Sequence, residues 1–380
     1  MRIGIDCRTI LNPRFGEHAG IGHYTYYLVT NLLKLDKKNE YVLFFDKLVT
    51  REAASRIVGD HPKTTIKFFP FHEYRHHLLP DYSKHLISAF ASQEKMDLLH
   101  TPSPLLYTGY VGKNVVTLHD LAMFRHPQWF EKKELGDKDI IKEAVKHADK
   151  IIAVSEYTKN EAIDIFSIPS EKIKVVYQGV DTTRHFLLTE DVLTEDDVID
   201  LEDLKKKYNI EKNYILYLGT IEPRKNIETL LEAKIPEDFE LVIAGLPKGK
   251  SKKLLSEIKK KKKVKYLGYV PHQDKFALIK HASCFVNVSL YEGFGLQVLE
   301  AMEIGTPIIA SNITSLPEVV GKAGLLVNPK KSEEISDALE KILTDENIRE
   351  TLVKEGVKRA QSFSWEKTAE ETLDFYRDLC

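Results

Sequence analysis

Short apolar runs of strand length recur along both halves of the chain, separated by amphipathic stretches of roughly ten to twenty residues, the usual length of helices. In the first half the predicted strands are Arg2–Asp6, Tyr41–Phe45, Thr65–Phe69, Leu98–His100, Asn114–Leu118, Ile151–Val154 and Ile173–Tyr177. In the second half they are Tyr214–Leu218, Glu240–Ala244, Val264–Leu267, Cys284–Val288, Pro307–Ala310 and Gly324–Val327. Regular β–α alternation is typical of parallel sheets covered on both faces. The pattern predicts an α/β chain with two Rossmann-like, doubly wound domains that face each other.

An acidic, strand-poor segment, Thr189-Glu-Asp-Val-Leu-Thr-Glu-Asp-Asp-Val-Ile-Asp200, separates the two runs of strands. It predicts a domain boundary, so we expect one domain over residues 1–195 and a second over residues 196–363. The remaining residues, 364–380, have helical periodicity and no strand after them. We expect them to form a helix that packs back toward the first domain.

Composition excludes several classes of protein. The formal net charge of −2 provides no overall field for nucleic acid, and the apolar runs are too short to span a membrane. The three cysteines, Cys7, Cys284 and Cys380, are scattered, which argues against a disulfide framework or a zinc site and favours a reducing cytoplasm. The 43% hydrophobic content is sufficient for substantial cores.

The most informative motif is Ser289-Leu-Tyr-Glu-Gly-Phe-Gly-Leu-Gln-Val-Leu-Glu300, a turn from a buried strand into a helix. Its two glycines, Gly293 and Gly295, stand at the helix entrance, where backbone N–H groups and the helix dipole suit a phosphate. Its two carboxylates, Glu292 and Glu300, repel phosphate but accept hydrogen bonds from hydroxyl groups. A sugar joined to a nucleotide through a diphosphate satisfies both requirements.

Two further strand-end turns carry candidate diphosphate-binding groups. Arg224 and Lys225, in Tyr217-Leu-Gly-Thr-Ile-Glu-Pro-Arg-Lys-Asn-Ile227, are adjacent cations that could neutralise a diphosphate, although a solvated pair at a helix start explains them equally well. Gly20 and Gly22 open a helix and allow backbone to approach a ligand. The third glycine of a Rossmann fingerprint is missing, so a flexible loop explains these two equally well.

Val115-Val-Thr-Leu-His-Asp120 ends a buried strand with a histidine that could contact sugar hydroxyls. For His119, as for the weaker candidate His100, the alternative is a structural histidine with its hydrogen bonds satisfied. No Asp-x-Asp pair follows a predicted strand, and Asp137-Lys-Asp139 falls in a helical stretch. We therefore predict no metal site.

Three other stretches allow competing interpretations. Ala244-Gly-Leu-Pro-Lys-Gly-Lys-Ser251 resembles a phosphate loop whose first glycine is replaced by alanine, and it would make the protein a nucleotide hydrolase. The run Lys259–Lys263 could bind anionic lipid or nucleic acid, but a solvated helix end is the simpler explanation. The aromatic, histidine-rich residues 68–79 could contact an acceptor or a membrane, or pack in the core.

Taken together, these residues resemble the retaining glycosyltransferases of family 4, also called group 1, which have the two-domain GT-B fold. The resemblance rests on Glu292-x7-Glu300 with Gly293-Phe-Gly295, on Gly219-Thr-Ile-Glu-Pro-Arg-Lys-Asn226 and on Gly20-Ile-Gly22. It extends over nearly the whole chain and is nearest to the mannosyltransferase-like branch. It differs from many relatives at Thr220, where they carry arginine, and at Gln297, where proline is frequent.

The resemblance implies a role for each matching residue. Glu292 and His119 are expected beside the donor sugar, and Arg224 and Lys225 are expected to neutralise the diphosphate as it leaves. Glu300 is expected to bind the ribose hydroxyls. The donor-binding residues that the resemblance implies are Glu300, Gly295, Phe294, Leu296, Gly20, Gly22, Gly219 and Val270.

The implied activity is retaining transfer of a hexose without a metal or other cofactor. The N-terminal domain would bind a glycan or lipid-linked sugar acceptor and the C-terminal domain a nucleotide-sugar donor, with GDP-mannose favoured over a UDP-sugar. The resemblance leaves peripheral contact with the inner membrane face, and the oligomeric state, open. A sugar-nucleotide epimerase, a non-catalytic sugar-nucleotide binder and the phosphate-loop hydrolase are the alternatives.

Overall fold

A computed structural model of the chain describes residues 1–10, 20–69, 88–104, 110–180 and 199–380. The strands of the first half are β1 (Arg2–Asp6), β2 (Glu40–Phe45), β3 (Thr64–Phe68), β4 (Leu98–Thr101), β5 (Lys113–Leu118), β6 (Lys150–Ala153) and β7 (Ile173–Val175). Those of the second half are β8 (Asn213–Leu218), β9 (Phe239–Ala244), β10 (Val264–Gly268), β11 (Cys284–Asn287), β12 (Ile308–Ser311) and β13 (Leu325–Val327). Each predicted strand is present, with shifts of one or two residues at its ends.

These strands form two sheets. The order is β3-β2-β1-β4-β5-β6-β7 in the first sheet and β10-β9-β8-β11-β12-β13 in the second, and neighbouring strands in both are parallel. In each sheet the order reverses beside its first strand, so the loops after β1 and β4, and after β8 and β11, leave a crevice at the carboxyl ends. This architecture confirms the prediction of two doubly wound domains.

Helices connect most of the strands and cover both faces of the sheets. In the first half they are α1 (Ile21–Leu35), α2 (Arg51–Val58), α3 (Ala122–Arg125), α4 (Lys132–Leu135), α5 (Asp137–His147) and α6 (Glu156–Phe166). In the second half they are α7 (Leu201–Tyr208), α8 (Ile227–Glu232), α9 (Lys252–Ile258), α10 (His272–Lys280), α11 (Leu296–Ile304), α12 (Leu316–Val320), α13 (Ser332–Thr344), α14 (Glu346–Ala360) and α15 (Trp365–Arg377). Among these helices, none is long and apolar enough to cross a lipid bilayer.

The last helix, α15, belongs to the core of the first domain. Trp365 stacks on Tyr27 of α1 with ring centroids 5.2 Å apart, and Leu373 and Tyr376 are buried in the same apolar cluster as β1 and β2. The chain therefore leaves the second domain after α14 and completes the first. This packing agrees with the expected return of the C-terminal helix.

A buried hydrogen-bonded chain fixes the end of α15 against the first sheet. His100 of β4 shares hydrogen bonds with the Tyr376 hydroxyl (Nδ1–Oη 2.5 Å) and with Thr117 of β5 (Nε2–Oγ1 2.8 Å). Burial, together with the charge of nearby His119, lowers the pKa of His100 to about 3, so its imidazole is neutral. His100 is thus a structural residue, which decides between the two interpretations of this histidine.

Two predictions lie outside the described residues. The expected boundary between residues 195 and 196 falls within 181–198, so it stays a prediction. Most of the aromatic stretch 68–79 falls within 70–87, and its contact with an acceptor or a membrane also stays a prediction. Phe68 and Phe69, its described residues, pack against Phe45 and Phe44.

Replacing the Tyr376 hydroxyl tests the link between α15 and the first sheet. We expect Tyr376→Phe to lower the free energy of unfolding by about 1–3 kcal/mol, because the buried Nδ1 of His100 loses its partner. Urea denaturation measures this change. Tyr269→Phe is the matched control, since Tyr269 is exposed and we expect its loss of a hydroxyl to leave stability unchanged. Equal stability of Tyr376→Phe and the wild-type protein would contradict the proposed link.

Candidate active site

The carboxyl ends of the two sheets face each other across a cleft that holds a cavity of about 250 Å³. Most of the residues predicted from sequence line it: Gly20, His119, Arg224, Lys225, Glu292, Phe294, Gly295, Leu296 and Glu300. Gly293, the other glycine of the predicted phosphate turn, also lines the cavity, and residues without a predicted role complete the wall: Ile21, His23, Asp120, Gln178, Lys275 and Gln297. Loops from both domains therefore contribute to one site.

The two domains touch at Gly293, where backbone meets backbone. A Cβ atom at this position would lie 1.8 Å from the carbonyl oxygen of His119, so any side chain would push the domains apart. On its other side, the carbonyl of Gly293 accepts hydrogen bonds from Ser155 (2.6 Å) and Thr158 (3.2 Å) of the first domain. Because Gly293 has no side chain, the backbones of the two domains can come into contact at this point.

Helix α11 points its N-terminus into the cavity. Gly295 begins the helix with a φ of +105°, a left-handed conformation that favours glycine. No side chain caps this end, and within the described residues the N–H groups of Leu296 and Gln297 have no hydrogen-bond partner. An uncapped helix N-terminus offers N–H donors and a positive dipole to an anion.

A buried group of charges underlies this turn. Glu292 Oε1 accepts from Lys225 Nζ at 2.5 Å and from Ser289 Oγ at 2.8 Å, and Glu292 Oε2 lies 3.3 Å from Arg224 Nη1. Burial by itself raises the pKa of Glu292, but the two cations outweigh burial and lower it to about 2. Glu292 is therefore ionised, and it ties the turn after β11 to the turn after β8.

The cations predicted to meet a diphosphate are thus paired with carboxylates. Arg224 also pairs with Glu222 at 2.8 Å, so Arg224 and Lys225 contact two carboxylates between them. The sequence showed the cations and Glu292 as separate motifs about seventy residues apart. Their pairing depends on β8 and β11 being neighbours, which the strand order determines.

The second carboxylate of the motif, Glu300, has one oxygen engaged and one without a partner. Glu300 Oε1 accepts from Lys275 Nζ at 2.6 Å, whereas Oε2 is buried and has no hydrogen-bond partner among the described residues. Buried polar atoms are rarely left unsatisfied, so an unpaired acceptor in a cavity wall indicates a donor supplied by a ligand. A hydroxyl group is such a donor.

Lys275 is the most consequential residue that sequence reasoning missed. It lies in the first turn of α10, and both Lys275 and Glu300 are mostly buried in the cavity wall. No motif includes this lysine, and only the packing of α10 beside α11 brings it to Glu300. The available signal was its position just beyond the strand-end loop Gly268–Val270, which is too general to identify one lysine.

His119 lies on the wall contributed by the first domain. Its Nε2 donates to the carbonyl oxygen of Pro102 at 2.8 Å, and its ring meets that of Tyr24 edge-on at 4.7 Å. Burial lowers the pKa of His119, which the Pro102 hydrogen bond and the Asp120 carboxylate only partly offset. A neutral imidazole with Nε2 protonated presents Nδ1 as an acceptor for a hydroxyl group.

Three predicted donor-binding residues are not among the described residues that line the cavity. Gly22 lies inside α1, where a Cβ atom would be 2.8 Å from the Thr9 carbonyl, so it serves helix packing. Gly219 lies between strand ends and donates to the carbonyl of Ala244, and Val270 packs partly buried against the core of the second domain. For these three residues, contact with a donor stays a prediction.

The competing phosphate-loop motif has a different environment. Lys250 does not line the cavity; its Nζ donates to the carbonyl oxygen of Gln128 in the first domain at 2.8 Å. Ser251 is buried and precedes α9, a helix of only seven residues. The structure therefore places this loop at the rim between the domains, away from the paired glutamates.

The buried ion pair can be tested by removing one partner. We expect Lys225→Met to lower the free energy of unfolding by about 3–5 kcal/mol, because it leaves the charge of Glu292 buried with only Arg224 as a counterion. Denaturant titration measures the loss, and adding Glu292→Gln to the same chain is expected to recover part of it. Lys253→Met, an exposed control, is expected to change stability by less than about 0.5 kcal/mol. A loss no larger than that of the control would show that the pair does not stabilise the turn.

Comparison with known proteins agrees with this geometry. The family model for "Glycosyl transferases group 1" matches residues 200–359, and that for "Glycosyltransferase Family 4" matches residues 18–184. The O-antigen chain mannosyltransferase B of Escherichia coli is 32% identical over 301 residues, which cover 77% of each chain.

Solved structures show the same fold. Sucrose-phosphate synthase from Thermosynechococcus elongatus superposes with a TM-score of 0.71 at 21% identity, covering 100% of this chain and 98% of that one. Anabaena Alr3699/HepE, solved in complex with UDP-glucose, superposes with a TM-score of 0.72 at 16% identity over 100% of both chains. The architecture is the GT-B fold, and the chain belongs to the family 4, group 1 glycosyltransferases.

Proposed function

We propose that this transferase is a retaining hexosyltransferase that moves mannose from GDP-mannose to a glycan or lipid-linked sugar acceptor. The observation that carries the proposal is Glu300 Oε2, which has no partner in the described part of the chain and lies in a cavity that also holds the N-terminus of α11. The Glu300 oxygen can accept a hydrogen bond from a hydroxyl group, and the helix N-terminus can bind an anion. A nucleoside diphosphate supplies both in one molecule.

In this proposal the ribose hydroxyls donate to Glu300, and the diphosphate lies over the N–H groups of Gly295, Leu296 and Gln297. Arg224 and Lys225 lie below the same turn, where their positive charge stabilises the negative charge that develops on the leaving group. Since Glu292 already balances part of their charge, its carboxylate also holds the cations in place. The sugar then projects toward His119 and the first domain.

The proposed reaction breaks the bond between the sugar C1 and the diphosphate oxygen, which keeps the bonding electron pair. A hydroxyl oxygen of the acceptor forms the new bond to C1 on the same face, and its proton passes to the departing diphosphate. Retention of configuration follows from this same-face replacement. Contact of the domains at Gly293 and His119 keeps water from C1, which favours transfer over hydrolysis.

The choice of GDP-mannose as donor rests on similarity to known proteins, whereas the reaction type is argued from the residues of the cavity. The relative from Escherichia coli is named a mannosyltransferase, and this supports mannose. The structural neighbour in complex with UDP-glucose shares only the fold, so a UDP-sugar is the alternative donor. The acceptor follows from the name of the same relative, which acts on an O-antigen chain.

A panel of nucleotide sugars tests the proposal directly. We expect GDP-mannose to raise the melting temperature more than UDP-glucose or ADP-glucose at equal concentration, because stabilisation grows with the logarithm of ligand concentration over Kd. Nuclear magnetic resonance of the product with a mannose-terminated acceptor is expected to show an α linkage. A β-linked product would contradict retention. Binding without transfer to any acceptor would indicate a sensor, and absence of binding by every nucleotide sugar would contradict the site.

A cycle of variants and ligands tests the role of Glu300. We expect Glu300→Gln to weaken GDP binding about 10–100-fold, because hydrogen bonds to a charged acceptor contribute about 1.5–3 kcal/mol. The same variant is expected to bind 2′,3′-dideoxy-GDP as well as the wild-type protein does. Isothermal titration calorimetry measures both affinities.

Lys275→Met extends the cycle to the partner of Glu300. If Lys275 orients that carboxylate, its loss weakens binding of GDP by a smaller factor than Glu300→Gln does. Binding of the dideoxy analogue stays unchanged. Lys280→Met, at the exposed end of the same helix, is the matched control. Equal weakening of GDP and its dideoxy analogue in both site variants would show that these residues do not contact the ribose.

A further inference from the structure

The second domain carries a strongly basic segment that the donor site does not use. Residues 248–265 contain ten lysines, Lys248, Lys250, Lys252, Lys253, Lys259, Lys260, Lys261, Lys262, Lys263 and Lys265, and a single acidic residue, Glu257. The whole chain has a formal net charge of −2, so the rest of the protein is acidic. We call these ten residues the lysine surface.

The fold gathers these lysines on one side of the domain. They lie on the loop after β9, on the outer side of α9, in the turn that follows it, and on β10, which is the edge strand of its sheet. Leu254 and Ile258 bury the inner side of α9 in the core. Apart from Lys265, which is half-buried, the lysines are exposed.

The lysine surface differs from the other exposed helices of the protein. At the start of α13 and on α14 and α15, several lysines and arginines pair with acidic residues three or four positions away, as in Lys331–Glu334 and Lys367–Glu371. Within the lysine surface, Lys253 alone has a carboxylate within ion-pair distance among the described residues, Glu257 at 3.9 Å. Solvation of a helix end explains the paired charges of those helices. It does not account for the excess of positive charge on the lysine surface.

Protection of the edge strand from aggregation explains only a small part of the cluster. Lysine on an edge strand prevents pairing with another sheet, and Lys265 on β10 serves this purpose. The remaining lysines lie outside this strand. Their number therefore calls for a different partner.

Two exposed apolar side chains lie near the lysine surface, at the carboxyl ends of β9 and β10, which face the cleft. Leu246 follows β9 and is 53% exposed, and Tyr269 follows β10 and is 63% exposed. The two are neighbours, since Gly245 N donates to the carbonyl of Gly268 at 2.7 Å. A tyrosine and a leucine beside lysines match the interfacial layer of a bilayer, where aromatic rings and cations meet headgroups.

We propose that the lysine surface docks on a bilayer that contains anionic phospholipid headgroups, with Leu246 and Tyr269 entering the interfacial layer. Clustered lysines are attracted to such a surface within a Debye length. The neighbouring apolar pair and the acidic remainder of the chain favour a membrane over a nucleic acid, whose recognition uses aromatic stacking or a basic groove. Docking in this way places the mouth of the cleft beside the bilayer, and it does not depend on the identity of the donor.

Vesicle binding by the full-length protein tests this proposal. We expect the protein to sediment with vesicles of phosphatidylcholine and phosphatidylglycerol, not to sediment with vesicles of phosphatidylcholine alone, and to be released as salt is raised. A variant with Lys259, Lys260, Lys261 and Lys262 changed to Gln is expected to lose at least about tenfold in its partition onto anionic vesicles, because each basic residue near the surface adds to the attraction. Leu246→Asn is expected to weaken binding further at high salt, where the apolar contact predominates.

The matched control removes the same number of positive charges from the first domain. Lys132, Lys133, Lys142 and Lys146 are exposed on helices of the first domain, and their replacement by Gln alters the net charge equally. Melting temperatures equal to that of the wild-type protein are expected for both quadruple variants and would show that each is folded. Equal loss of binding in both variants, no binding of the wild-type protein to anionic vesicles, or retention on RNA in preference to anionic vesicles would overturn the proposal.

Discussion

The buried contact between Glu292 and the cations Lys225 and Arg224 organises the site. It joins the turns after β8 and β11, two neighbouring strands of the second sheet, and so determines how the N-terminus of α11 is aimed. Removing charges from water is costly, and hydrogen bonds from Ser289 and Asn287 help to offset that cost. A cluster of this kind stabilises one arrangement of the two turns and thereby holds groups in place before a ligand arrives.

The other side of the site depends on close approach between domains. Gly293 lies against the backbone of His119, and the carboxylate of Glu318 accepts from the N–H groups of Glu156 and Tyr157 at the start of α6. Tyr291 reaches across to hydrogen-bond Glu161 and the N–H of Leu121. The residues on either side of Glu292 therefore contact the first domain, so the position of this turn and the approach of the two domains are coupled.

Sequence alone predicted the fold well because strand-length apolar runs and helical spacing are local properties. It also located the loops of the site, since charged and glycine-rich turns after parallel strands meet at one edge. It failed where the answer depended on contacts between distant elements. Lys275 has no motif and reaches Glu300 only through packing of α10 on α11. Glu292 was interpreted as a hydroxyl-binding group, and no local pattern indicates that its nearest partners are the cations of another turn.

The inclusion of α15 in the first core has a consequence for how the protein is made. His100 and Tyr376 are 276 positions apart in the chain, and Trp365 stacks on a helix that begins at Ile21. During synthesis the first sheet can collapse early, but part of its apolar surface stays uncovered until α15 leaves the ribosome. The strands of the second domain and the buried residues of its core, Val154 of the first half among them, are all made before α15. The domain translated first is thus the one that finishes folding last.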